Sequence, residues 1–275
     1  MSTLHAILFA IMQGISELFP VSSLGHGVIL PDLLHWNLDR QDPSFLAFMV
    51  MLHLGTALAL FIYFYRDWLS LLGGFIRAGG RPVTPESRLV WLLIAGTVPA
   101  GLIGLLLEKK LRALFGSTTF VLAVLIVNGI ILIAGDMMRQ SGRGRTLDEL
   151  SFFGALKIGL VQALALIPGI SRSGVTLIAG LRQGLSYAAS ARFAFLLATP
   201  IIGAAGVLEV PKLLHEKSQI PLSLALGCGL LSGFFAYLST WVLMRYFNKH
   251  EIQALRPFGW YCIGLGLVGL LLRLL

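Results

Sequence analysis

Two short stretches of this 275-residue chain carry residue types that apolar segments usually avoid. The first runs Gln13-Gly14-Ile15-Ser16-Glu17-Leu18-Phe19-Pro20-Val21-Ser22-Ser23-Leu24-Gly25-His26, and the second runs Gln162-Ala163-Leu164-Ala165-Leu166-Ile167-Pro168-Gly169-Ile170-Ser171-Arg172-Ser173-Gly174-Val175-Thr176. Gln13 and Glu17 are four apart, which on a helix sets an amide oxygen and a carboxylate on one face. Mg²⁺ takes one or two carboxylates and fills its shell with water and phosphate, and Ca²⁺ accepts amide oxygens, so the pair is a candidate divalent-cation site. His26 follows Ser22 by four residues and Ser23 by three. A serine beside a histidine can act as nucleophile and base, and the same histidine could instead protonate a leaving oxygen. Arg172 inside an apolar run costs about 2.5–3.5 kcal/mol on insertion scales and survives only with a partner or a polar cavity. Its planar fork suits phosphate oxygens, although a Glu17–Arg172 pair could also serve only to lock two helices. Glu17, His26 and Arg172 together supply a base, an acid and a phosphate clamp, a set suited to phosphoryl chemistry.

Each stretch must be a helix, a break and a second helix. Proline ends the first helix and removes a backbone donor, and serine is a preferred N-cap for the next. The second half-helices are expected to start near Ser22–Ser23 and Ser171–Ser173. Their free N–H groups and positive dipole ends would form an anion site if the breaks converge. An offset of 149 lays Gln13 on Gln162, Ser22 on Ser171, Gly25 on Gly174 and Ile29 on Ile178. Paired broken segments in corresponding places suggest an internally repeated membrane fold with its site at the breaks. The halves would cover about residues 1–135 and 150–275 of a single membrane domain spanning 1–275, and the spacing leaves open whether they are inverted.

The scaffold around these breaks is a bilayer-embedded one. Hydrophobic residues make up 56% of the chain and charged ones only 12%, about half the ~25% of a soluble globular protein. Apolar segments at about 4–30, 44–65, 89–107, 118–135, 152–181, 190–210, 220–244 and 257–275 mostly approach the ~20 residues of a membrane-crossing helix, which predicts an all-α polytopic integral membrane protein. The net charge of +8 comes from short basic clusters between these segments. They read as anchors to membrane lipids, and no nucleic-acid partner is expected. Cys228 and Cys262 lie in apolar runs and indicate no disulfide framework. His53, Asn128 and Glu209 read as interhelical hydrogen-bonding groups, with His53 or Glu209 also able to line a cavity.

The strings Glu17-Leu18-Phe19-Pro20-Val21-Ser22-Ser23-Leu24-Gly25-His26 and Pro168-Gly169-Ile170-Ser171-Arg172-Ser173-Gly174-Val175-Thr176 resemble the bacitracin-resistance family of undecaprenyl-pyrophosphate phosphatases over nearly the whole chain. The resemblance implies an inverted-repeat bundle of about six transmembrane helices with two re-entrant helical hairpins, placed in the bacterial plasma membrane with its active site facing the outer side. It also implies hydrolysis of a C55 polyprenyl diphosphate to the monophosphate, with a divalent cation, Mg or Ca, to recycle the lipid carrier of cell-wall synthesis. Carried onto this chain, Gln13 and Glu17 match the metal-linked motif, Ser23 the nucleophile and His26 the motif histidine. Arg172, with Ser171, Ser173, Thr176 and Ser22, matches the phosphate-binding set. Position 13 is Gln where many relatives have Glu, so one metal ligand would be neutral; position 24 is Leu where Thr or Ser is frequent.

Under this reading the metal and Arg172 hold the diphosphate while Ser23 attacks the terminal phosphorus and His26 or Glu17 handles protons. Attack by water or by His26 itself stays open, as do the choice of metal and the oligomeric state, a homodimer included. The rival from another class is a polyprenyl-phosphate transporter or flippase with an anion site between its repeats.

Overall fold

The computed structural model describes residues 2–36, 43–114, 116–138, 144–215, 220–250 and 252–274. The side chains at 43, 46–47, 108–113 and 207–215 lie outside that description, and Glu209 with them. The described chain is helical, and its one extended pairing is an isolated bridge between Arg145 and Leu185.

The first apolar segment divides as its proline and serines require, into α1 (Thr3–Ser16) and α2 (Ser23–Leu33). Next come α3 (Pro43–Tyr63), α4 (Tyr65–Arg77), α5 (Pro85–Leu114) and α6 (Thr118–Met137). The second half repeats the broken form with α7 (Phe152–Gln162), a 3₁₀ turn at Ala163–Leu166 and α8 (Arg172–Arg182), followed by α9 (Tyr187–His215), α10 (Leu222–Lys249) and α11 (Arg256–Leu272). Helices α5, α6, α9 and α10 contain stretches long and apolar enough to cross a bilayer. The pair α3–α4 makes a fifth candidate, bent by 74° at Phe64. At 17 residues α11 is shorter, and it lies along α6.

Beyond the bend, α4 is an amphipathic helix that exposes Tyr65, Leu69, Leu72 and Ile76 along one stripe, and Asp67 pairs with Arg192 of α9. Such a helix suits the membrane interface.

In the packing, α1 lies on α10 and α7 on α5, α3 meets both α10 and α9, and α6 meets α11. Small residues permit the closest approaches. A Cβ on Gly55 of α3 would fall only 1.8 Å from the Gly229 carbonyl oxygen of α10, so any side chain there would force these helices apart.

Candidate active site

The two breaks meet, and they do so reciprocally. Ser22 caps α2 by accepting the Gly25 N–H at 3.2 Å, and Ser171 caps α8 by accepting the Gly174 N–H at the same distance. A Cβ on Gly25 would lie 3.3 Å from Gly169 Cα, and one on Gly174 would lie 3.2 Å from Pro20 Cβ. Under the offset of 149, Gly25 matches Gly174 and Pro20 matches Gly169, so each contact is the other's counterpart. Gly169 also has φ +106°, a conformation L side chains rarely adopt, with Val124 Cγ1 only 2.8 Å from where its Cβ would sit. Asn128 of α6 ties the breaks together: its Oδ1 accepts the Ser171 N–H at 2.9 Å and its Nδ2 donates to the Pro20 carbonyl at 3.4 Å. It is the interhelical hydrogen-bonding group expected from the sequence.

This geometry gives the first residue of each second half-helix an equivalent place, and those residues are Ser23 in α2 and Arg172 in α8. Both turn to one carboxylate. Glu17, the C-cap of α1, receives the Ser23 hydroxyl on Oε2 and Arg172 Nη2 on Oε1 at 2.7 Å. Gln13 Nε2 donates to Oε2 at 3.0 Å, and His53 Nε2 lies 3.3 Å from the same oxygen. The anion is nearly sealed from solvent at 7% exposure, so its cost is offset by these donors rather than by water.

Two polar atoms in this cluster are buried without any hydrogen-bond partner among the described residues, Gln13 Oε1 and Arg172 Nη1. Buried polar atoms are ordinarily satisfied, so an orphan acceptor and an orphan donor beside one carboxylate mark where a cation and an anion can be received. Nearby, the N–H groups of Ser23 and Leu24 in α2, and of Arg172 and Ser173 in α8, fall in first turns where the helix supplies no acceptor. They add partial positive charge beside the Glu17 cluster.

Gln13, Glu17, Ser23 and Arg172 thus converge. The remaining candidates are placed differently. The hydroxyls of the phosphate-binding set are engaged within the protein: Thr176 donates to the Arg172 carbonyl at 2.7 Å, Ser173 to the Phe19 carbonyl at 3.3 Å, and Ser171 and Ser173 share a 3.1 Å contact. Ser22 acts as a cap with φ +67°. His26 shares a helical turn with the serines, yet its side chain is directed elsewhere. Its Nδ1 lies 2.8 Å from the Ser22 carbonyl oxygen, and its Nε2 lies 2.8 Å from the hydroxyl of Tyr261, on which the ring stacks. Among the described residues no hydrogen bond joins it to Ser23 or Glu17.

The residue that sequence reasoning ranked too low is His53. It stands alone in the apolar α3, 36 residues beyond Glu17, and its Nδ1 is fixed at 2.7 Å to the Met49 carbonyl oxygen one turn back. No local spacing links it to the motif; only the packing of α3 brings it there. A cation has few free donors to use, since among the described residues no three His, Cys, Asp or Glu side chains cluster as a metal site. Gln13 Oε1 and a shared Glu17 carboxylate fit an ion that takes most of its ligands from a phosphate and water.

The chain is similar at full length to curated proteins of several bacteria. It is 62% identical to undecaprenyl-diphosphatase 2 of Chromobacterium violaceum over 275 residues, covering all of both chains. It is 48% identical to the undecaprenyl-diphosphatase of Acidiphilium cryptum, over 99% of this chain and 98% of that one. It is 46% identical to undecaprenyl-diphosphatase 1 of Burkholderia pseudomallei, over 97% of this chain and 95% of that one. The family model described as bacitracin resistance protein BacA matches residues 6–268, a span that takes in both breaks and all but the outermost turns of the scaffold, and the chain belongs to that family.

Proposed function

We propose that this protein hydrolyses undecaprenyl diphosphate to the monophosphate and inorganic phosphate, recycling the lipid carrier of cell-wall synthesis. The observation that carries this reading is the Glu17 carboxylate held between Ser23 and Arg172, the equivalent first residues of two facing helices. A transport site has no need of a hydroxyl hydrogen-bonded to a buried base. Phosphate release from a prenyl diphosphate by the pure protein in detergent, where no transport is possible, tests the reading directly, and its absence refutes it.

In the proposed reaction the terminal phosphate is drawn by Arg172 Nη1 and the open N–H groups of α2 and α8. Ser23 Oγ attacks the terminal phosphorus as its proton passes to Glu17 Oε2. The bond from phosphorus to the bridging oxygen breaks, and polyprenyl monophosphate departs with the electron pair. Water then attacks the phosphoserine; the bond from phosphorus to Ser23 Oγ breaks, the proton on Glu17 returns to that oxygen, and phosphate leaves carrying both protons of the water. His26, turned to Tyr261, would need a rotamer change to join in. The site is proposed to open at the outer face of the plasma membrane; a homodimer would be read from the mass of the solubilised protein.

A divalent cation would be held by Gln13 and Glu17, and would supply charge neutralisation to the diphosphate. Activity is expected to vanish with a chelator and to return with Mg²⁺ or Ca²⁺. Gln13→Glu should lower the cation concentration giving half-maximal activity. Full activity after exhaustive chelation would remove the metal from the reaction.

His53 is a positioning residue for Glu17. His53→Ala should lower kcat by about 10- to 100-fold with little change in KM, as expected when a group orienting a catalytic base is lost. His53→Gln, whose amide can still donate to Glu17, should recover much of it. Equal losses in the two variants would show that packing, and not the donor, is what matters at this position.

A further inference from the structure

Away from the breaks, α7 and α8 run side by side and flank an open cleft of about 410 Å³. Its lining changes character along its length. Lys157, Arg182 and Gln183 stand at one end, and Leu160, Val161, Ile178 and Ala179 form the rest. Lys157 and Arg182 are both exposed, and neither makes an ion pair or hydrogen bond among the described residues. The acids that precede α7 do not neutralise them, since Glu149 is turned to the backbone and hydroxyl of Thr146 and Asp148 forms no ion pair among the described residues. Two cations without partners among the described residues, at the mouth of an apolar cleft between two short helices of a polytopic membrane protein, call for an amphiphile with a negative head.

We infer that this cleft binds an anionic phospholipid, its headgroup phosphate between Lys157 and Arg182 and the upper part of an acyl chain along Leu160, Val161 and Ile178. The volume falls within the range of small-ligand sites and suits a headgroup with a few methylenes better than a whole lipid. The cleft is formed by the helices on either side of the second break, so its occupant would brace the segment that carries Arg172.

The test is mass spectrometry of the full-length protein released from mixed micelles of phosphatidylglycerol and phosphatidylcholine with matched acyl chains. With about fivefold gained per basic residue, phosphatidylglycerol should be retained about 30-fold over phosphatidylcholine. Lys157→Gln with Arg182→Gln should abolish the preference while phosphate release in neutral lipid is unchanged. Leu160→Trp should reduce retention of phosphatidylglycerol with both charges intact, and Lys157→Arg should preserve it. Equal retention of the two lipids by the wild type, or a preference that persists in the double variant, would overturn the inference. Displacement of phosphatidylglycerol by millimolar inorganic phosphate would also overturn it, by marking a free-phosphate site instead.

Discussion

Arg172→Ala is expected to reduce turnover by about 10³-fold, the scale lost when one preorganised donor to a developing oxyanion is removed. The structure gives Arg172 two duties. Nη2 is committed to Glu17 at 2.7 Å, and Nη1 is buried with no partner. A purely structural ion pair would satisfy both nitrogens inside the protein; here one is left for a ligand. Removing the whole side chain also leaves Glu17 without a cationic partner, and breaking a buried pair costs about 3–5 kcal/mol of stability. Arg172→Lys separates the two effects. A single ammonium can reach the carboxylate but cannot present a second, planar donor, so that variant should unfold near the wild-type temperature while still losing most of its kcat. Phosphate release measured beside thermal unfolding in detergent decides the matter. Near wild-type turnover in Arg172→Lys would reduce the arginine to a helix lock.

How much of this was legible beforehand depends on whether the information is local. The two breaks were readable because proline, serine and glycine act on their own neighbours, and the helices do start at Ser23 and Arg172 with Ser22 and Ser171 as caps. The offset of 149 was readable as weak identity, and the residues it pairs lie at the close approaches of Gly25 to Gly169 and of Gly174 to Pro20. Gln13 and Glu17, four apart on α1, do hydrogen-bond to each other. What could not be read was anything delivered by a distant helix. His53 arrives from α3, and its apolar surroundings give no hint of the carboxylate it will meet. Tyr261, 235 residues from His26 along the chain, holds the ring that spacing had offered as a partner for the serines or as an acid for a leaving oxygen. The bend at Phe64 was hidden for another reason: no proline or glycine marks it, and the amphipathic stripe of α4 is its only local sign.

Ser23→Ala is expected to lose nearly all activity, whereas Ser22→Ala should lose little beyond the cap, about 1 kcal/mol of stability. The two adjacent hydroxyls have opposite roles in the structure. Ser22 accepts from the Gly25 N–H at 3.2 Å, leaving its lone pairs partly spent on the helix end. Ser23 donates its proton to Glu17, the orientation an attacking oxygen needs. If Ser23 is the nucleophile, rapid quenching of the wild type with substrate labelled in its terminal phosphate will leave acid-stable label on that residue. Acid-labile label on a histidine would transfer the role to His26, whose ring would first have to leave the Tyr261 hydroxyl; Tyr261→Phe should then raise the amount trapped by freeing it. Absence of label on the millisecond scale, with Ser23→Ala still turning over slowly, would favour direct attack by water. Glu17 would remain the base in that case, because the oxygen that now accepts the Ser23 proton is already set to take one from whatever nucleophile occupies the same place.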